Sequence, residues 1–227
     1  IEMSKSINKK NIGLFILAYK RLDHLKKCLF NLNLYLNKSD KIYIFMDNFS
    51  NDQSKETIKS IIKVKNYLKT LNKKKYKVFF RKKRYGMKRN WYLAYDQMFK
   101  KYKKVICLED DIIINKKFLD FMYFYLNNYE KDKRIMSITA FGTNINYSFK
   151  NHKFDSYLTR RPMSWGQASW RRVWSIFKKN KEKHLDIIKN KKNKKMLLSG
   201  GQDLLITMIQ DYLKYVDSLQ VWWSWYI

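Results

Sequence analysis

Val105-Ile106-Cys107-Leu108-Glu109-Asp110-Asp111, followed by Ile112-Ile113-Ile114, is a strand-forming apolar run broken by three consecutive carboxylates. A strand buried on both faces of a parallel sheet reads as such a continuous run. Three adjacent acids would repel one another and lose their hydration inside a core, so they belong where the strand leaves it, at its carboxyl end. Open α/β sheets bind ligands in the crevice outside those ends. Hard divalent cations such as Mg²⁺ or Mn²⁺ take one or two carboxylates together with phosphate oxygens. Taken alone, the triplet reads equally as a metal–diphosphate site or as a solvated acidic turn.

On the amino-terminal side the pattern alternates. Residues 11–19 (NIGLFILAY) read as a buried strand. Residues 21–36 carry an apolar stripe at Leu22, Leu25, Cys28, Leu29, Leu32 and Leu36, the spacing of a helix. Residues 41–45 form a second strand, ending in the polar turn Met46-Asp47-Asn48-Phe49-Ser50-Asn51-Asp52, in which Ser50 or Asp52 is placed to cap a helix running to about residue 71. Residues 76–80 are a third strand, Gly86 breaks the chain, and residues 88–101 are helical. This alternation predicts a Rossmann-like, mostly parallel sheet with right-handed crossovers. Beyond the acids, the pattern predicts a helix over 118–129, a strand over 134–140, a short strand over 157–160, and a helix entered from residues 163–174. A lysine-rich helix or loop comes next over 178–195, and a last helical segment over 203–215.

At 227 residues with 45% hydrophobic and 17% aromatic content, the chain is globular and large enough for a sizeable core. We divide it into a polar lead (1–10) and a single domain (11–227) whose halves meet near residue 145; the aromatic ending reads as a piece of a longer protein. The formal charge of +30, concentrated at residues 73–84 and 178–195, favours anionic partners: nucleic acid, a membrane surface or phosphorylated substrates. Cys28 and Cys107 both sit in apolar patterns and give no disulfide framework, which suits a reducing compartment. His24, His152 and His184 are too scattered for a metal cluster, and no apolar run reaches the length of a membrane span. Neither a Walker A nor a G-x-G-x-x-G loop is present, so a metal is the natural neutraliser of a diphosphate. Asp47 ends the second strand on the same sheet edge as the acid triplet and reads equally as a helix cap or as an acceptor for a base or ribose.

Ala18-Tyr19-Lys20-Arg21, the Asp47 turn, Tyr85-Gly86-Met87-Lys88-Arg89-Asn90 and Leu108-Glu109-Asp110-Asp111 occur in an order that resembles GT-A-fold glycosyltransferases. The likeness is greatest to bacterial family 2-type enzymes and to the N-acetylglucosaminyltransferases that carry Glu-Asp-Asp. Ser164-Trp165-Gly166-Gln167-Ala168-Ser169-Trp170 also resembles a Trp-Gly-x-Ala-Thr-Trp block of bacterial relatives. The resemblance implies a GT-A α/β fold with a helical, acceptor-side carboxyl-terminal region. It implies that Asp111 binds the divalent metal (Mn²⁺ or Mg²⁺), that Asp110 contacts the donor ribose and that Glu109 contacts the sugar hydroxyls. Asp47 would face the nucleobase, with Ala18, Tyr19 and Arg21 lining the same pocket. Gly86 would let backbone approach the nucleotide, with Arg89 and Asn90 nearby.

An inverting transferase also needs a base for the acceptor hydroxyl. Gly200-Gly201-Gln202-Asp203 places an acid at a helix start, so Asp203 is the candidate, with Asp211 and Asp217 in reserve; its alternative role is to favour the helix dipole. Trp165, and with it Trp170, would wall a sugar ring, although either Trp alone reads as core. The expected partners are a nucleotide-sugar, with UDP-sugars favoured, and a glycan or lipid-linked acceptor of bacterial surface polysaccharide. The expected place is the cytoplasm, with the lysine-rich stretch touching the anionic inner face of the membrane. Two other readings compete. A basic nucleic-acid-binding domain fits the charge but not the acid triplet, which repels phosphate without metal. A nucleotidyltransferase would carry a glycine-rich basic loop where Ala18-Tyr19-Lys20-Arg21 stands.

Overall fold

The computed structural model describes residues 9, 11–142, 156–179 and 183–226. Nearly all of the polar lead and the boundary near residue 145 lie outside these residues. Four parallel strands form the expected alternation: β1 (Ile12–Ala18), β2 (Ile42–Met46), β3 (Tyr76–Phe80) and β4 (Lys104–Glu109). The crossovers are α1 (Leu22–Asn33), α2 (Lys55–Thr70) and α3 (Met87–Lys101). The stripe read on α1 buries Leu25, Cys28, Leu29 and Leu32. On α2 the cap is Ser54, whose hydroxyl accepts from the Thr57 amide at 3.2 Å; Ser50 and Asp52 hydrogen-bond each other instead. Leu17 lies opposite Glu109 and Ala18 opposite Met46, so β1, β2 and β4 end level and present Tyr19, Asp47 and Asp110 along one edge.

The second half departs from the sequence reading. After α4 (Phe118–Asn128) come β5 (Ser137–Thr139) and β6 (Gln167–Trp170), giving the sheet order β3-β2-β1-β4-β6-β5. β6 runs antiparallel to both neighbours, and all four of its residues are buried. The expected helix entry at 163–174 is therefore a strand before it becomes α5 (Arg171–Lys179). Residues 157–160 form no strand, and the lysine-rich stretch divides into α6 (His184–Lys189) and α7 (Lys191–Leu198). The last segment splits into α8 (Gln202–Tyr212) and α9 (Leu219–Tyr226). Trp170 is core: it is 1% exposed and its indole N–H donates to the Leu126 carbonyl at 2.9 Å.

The carboxyl-terminal helices are fastened to α3 in two ways. Trp223 of α9 packs within 5.7 Å of Trp91, 6.4 Å of Trp174 and 5.4 Å of Phe177, ring centre to ring centre. Asp211, a reserve base in the sequence reading, is instead a buried junction. Its carboxylate accepts from Lys88 Nζ (2.6 Å), the Trp222 indole (2.9 Å) and the Ser218 amide (3.0 Å), and meets His184 Nε2 at 2.7 Å. It has no oxygen left for chemistry.

Burial opposes ionisation of Asp211, but Lys88, His184, the Ser218 amide and Trp222 outweigh it and hold the carboxyl below its usual range. A depressed folded pKa confers stability that is present above the unfolded value of about 3.9 and lost as pH falls through the folded value. Asp211→Ala should therefore cost about 2–5 kcal/mol at neutral pH by urea denaturation, because it strands several donors. The gap to wild type should narrow below about pH 4.

Candidate active site

The edge is built by strand ends that stop level and by side chains that pin the loops leaving them. Asn31 of α1 holds the chain after the acids, accepting from the Ile114 amide at 2.8 Å and donating to the Ile114 carbonyl at 3.0 Å. Asp110 is 2% exposed, with Oδ2 on the Tyr19 amide (3.3 Å) and Oδ1 on the Arg21 guanidinium (2.5 Å). The same guanidinium donates to Asp111 Oδ2 at 2.6 Å. Burial pushes the Asp110 pKa up, against the pull of Arg21 and the Tyr19 amide. Burial and then Asp111 push Glu109 up, opposed by Arg21 and by a hydrogen bond from Ser164. Tyr19 is held by Gln53, whose amide donates to its hydroxyl at 2.6 Å, while Ala18 is buried and its carbonyl accepts from the Asp47 amide.

The other oxygen of Asp111, Oδ1, is buried and has no hydrogen-bond partner. An anionic oxygen without a donor is costly, and a cation would satisfy it. Among the described residues no three His, Cys, Asp or Glu side chains converge on one point. The protein would then supply one or two oxygens and leave the remaining positions to phosphate and water, as Mg²⁺ and Mn²⁺ accept. The residues fit such an ion.

Asp47 is 6% exposed, and its carboxylate is spent on backbone. Oδ1 accepts from the Asn48 and Tyr85 amides and Oδ2 from the Gly86 amide, each at 2.9 Å. Burial raises its pKa against these three amides and Arg81. Asp47 thus ties the end of β2 to the turn before α3. That turn needs glycine: Gly86 has φ +79°, and a Cβ there would lie 2.8 Å from Asp217 Oδ2. The space that a Cβ on Gly86 would take holds the Asp217 carboxylate. Asn90 is likewise committed, accepting from Arg81 Nε at 2.7 Å and donating to the Phe45 carbonyl at 3.5 Å. Arg89 is exposed over the Tyr85 ring at 5.1 Å.

On the other flank, Trp165 is 45% exposed and stands edge-to-face with Phe141 at 4.7 Å. Asp203 lies in the first turn of α8, and its carboxylate accepts from the two terminal guanidinium nitrogens of Arg161 (2.5 and 2.6 Å). That pairing is the main cause that lowers its pKa, leaving it a weaker base than a free carboxylate. Arg161 is three residues from Ser164, the partner of Glu109, so their Cα atoms are at most about 11 Å apart. Arg161 and Ser164 escaped the sequence reading as functional residues; an Arg next to the chain's only proline, close to the Trp165-Gly166 turn, was the available signal.

The sequence profile of the GNT-I family matches residues 2–168. The chain belongs to the GNT-I family. That membership agrees with the resemblance to Glu-Asp-Asp-containing N-acetylglucosaminyltransferases drawn from the motifs. No curated protein sequence matches the chain. Among solved structures it is similar to the mannosyltransferase PcManGT from Pyrobaculum calidifontis in complex with GDP-Man and Mn²⁺, at 10% identity and TM-score 0.49, covering 73% of this chain and 46% of that one. It is similar also to S. aureus TarS 1–349 in complex with UDP-GlcNAc, at 17% identity and TM-score 0.48, covering 84% and 53%. A third is the 4-diphosphocytidyl-2C-methyl-D-erythritol synthase from Anaerococcus prevotii, at 10% identity and TM-score 0.44, covering 92% and 98%. The chain spans about half the length of the PcManGT and TarS chains.

If the three amides on Asp47 set the turn, Asp47→Asn should disrupt it, because a side-chain NH₂ would face a backbone N–H. The expected cost is about 1–3 kcal/mol by chemical denaturation, with faster hydrogen exchange at the Tyr85 and Gly86 amides. Unchanged exchange there would show that the turn stands without the carboxylate.

Proposed function

We propose that this GNT-I family member is a metal-dependent glycosyltransferase that moves a sugar from a nucleotide-sugar, with a UDP-sugar as the favoured donor, to a glycan or lipid-linked acceptor. One observation carries the reading. The buried, partnerless Oδ1 of Asp111 lies just past the end of β4, on the edge where open α/β sheets bind ligands. Asp111 would hold Mn²⁺ or Mg²⁺, and Arg21 fixes its other oxygen. The ion, when bound, would act as a Lewis acid toward the departing diphosphate. Asp110 would meet the ribose and Glu109 the sugar hydroxyls. Burial, and then the neighbouring Asp111, raises the pKa of Glu109 above the usual carboxylate range. Asp47, with Ala18, Tyr19, Arg89 and Asn90, would shape the base pocket by setting its backbone rather than by direct contact alone.

For an inverting reaction Asp203 is our candidate base: it opens α8, its side chain is 56% exposed, and Arg161 ties it to the segment that carries Ser164 and Trp165. Arg161 has to release it before it can take a proton from the acceptor. The exposed face of Trp165 would carry the sugar ring. The likeness of residues 164–170 to a block in bacterial relatives supports a role in bacterial surface polysaccharide synthesis. Among the described residues no helix is long and apolar enough to cross a membrane. The exposed lysines of α6 and α7 support peripheral contact with an anionic inner membrane face.

The test is calorimetric titration of UDP and GDP, with and without Mn²⁺, on wild type and Asp111→Ala. We expect Mn²⁺-dependent binding of one nucleotide, weakened about tenfold or more by the substitution. Binding of neither under either condition would overturn the UDP- and GDP-sugar reading. Asp203→Asn should lower turnover about 10²–10⁴-fold and leave nucleotide binding alone; unchanged turnover would place the base elsewhere.

A further inference from the structure

The turn before α3 is gripped from two sides, and the second grip comes from far along the chain. Asp47 takes the Tyr85 and Gly86 amides from the sheet side. From the other side Asp217, in the link between α8 and α9, accepts from the Lys88 amide at 3.1 Å. Its Oδ2 fills the space that a Cβ on Gly86 would take. Lys88 is held a second time through its side chain, by Asp211 at 2.6 Å. Asp211 also takes the Ser218 amide, which fixes the residue after Asp217. Gly86 caps α3 with no side chain of its own, so the first turn of a fifteen-residue helix relies on this borrowed carboxylate.

We propose that Asp217 is a positioning residue for the donor site: it sets the Tyr85–Gly86–Met87–Lys88 backbone that the nucleotide meets, and so makes donor affinity depend on the carboxyl-terminal helices. The proposal rests on the donor site described above. Asp217 lies outside residues 2–168, the stretch matched by the GNT-I profile. It is exposed, and the carboxylate contacts backbone of the turn, so its removal opens no core cavity. It acts through the turn and is not assigned any contact with the reacting atoms.

The experiment compares wild type, Asp217→Ala and Asp217→Asn in two measurements: UDP and GDP titration with Mn²⁺, and hydrogen exchange of residues 85–90 in the nucleotide-free protein. Asp217→Ala should weaken nucleotide binding about five- to tenfold, the scale of one lost cap, and raise exchange at residues 85–90 while the sheet amides keep their protection. Asp217→Asn retains an oxygen that accepts from the Lys88 amide, and should restore both readouts to within about twofold. Unchanged or tighter nucleotide binding by Asp217→Ala would overturn the proposal, tighter binding meaning that the carboxylate competes with the donor. A loss of protection spread over the whole sheet would also overturn it, making Asp217 a general stability residue. If wild type itself binds neither nucleotide, the donor reading fails; the exchange arm still decides whether Asp217 sets the turn.

Discussion

One guanidinium spanning two carboxylates governs this structure. Asp110 and Asp111 are consecutive, and Asp110 is nearly inaccessible to water, so without a cation the end of β4 would carry one poorly solvated charge beside a second, partly exposed one. Arg21 supplies that cation because β1 and β4 are adjacent and end level, which brings the residue three past Ala18 across to the acids. The arrangement compensates unevenly. Asp110 has both oxygens engaged, whereas Asp111 has one engaged and one buried without a donor. The proposed metal position rests on this asymmetry more than on the number of acids.

A second constraint is the scarcity of glycine. With six glycines in 227 residues, the chain cannot wrap a phosphate in a glycine-rich loop. It shapes its ligand edge with carboxylates that collect backbone amides: Asp47 takes three, and Asp217 takes the amide that Gly86 cannot cap. In a chain with 49 Lys and Arg against 19 Asp and Glu, the acids are the scarce component. Those at the edge are almost all committed to amides or to cations.

Periodicity made the first half legible. The stripe on α1 and the apolar runs of β1, β2 and β4 reflect burial on one or two faces, and an acid triplet at the end of β4 can only sit at an edge. The edge position of Asp47 was legible for the same reason, but what its oxygens bind was not, since Tyr85 and Gly86 are 38 and 39 residues away. β6 was misread because Gln167-Ala168-Ser169-Trp170 carries no strand signal: its polar side chains are buried through pairing with β4 and β5, a tertiary effect. Asp211 looked like a spare acid because neither Lys88 nor Trp222 is near it in the periodic pattern. Asp203 was correctly placed at a helix start, but its partner Arg161 is 42 residues earlier and alters its basicity.

These long-range carboxylate contacts bear on how the halves of the chain relate. Sequence reading divides it near residue 145 into a nucleotide half and an acceptor half, as though each could be understood alone. The structure threads them together. β6, from the second half, completes the sheet beside β4. Trp223 fills the face of α3 that Trp91 would otherwise expose, and Lys88 is held by Asp211 through its side chain and by Asp217 through its backbone. A turn with no glycine-rich cradle and no capping side chain of its own has to borrow rigidity, and Asp211 and Asp217 of the carboxyl-terminal region reach it from the open side. Rearrangement of α8 and α9 would therefore be felt at the start of α3. Because Asp203 lies in the first turn of α8, the proposed donor site and the proposed base share one support.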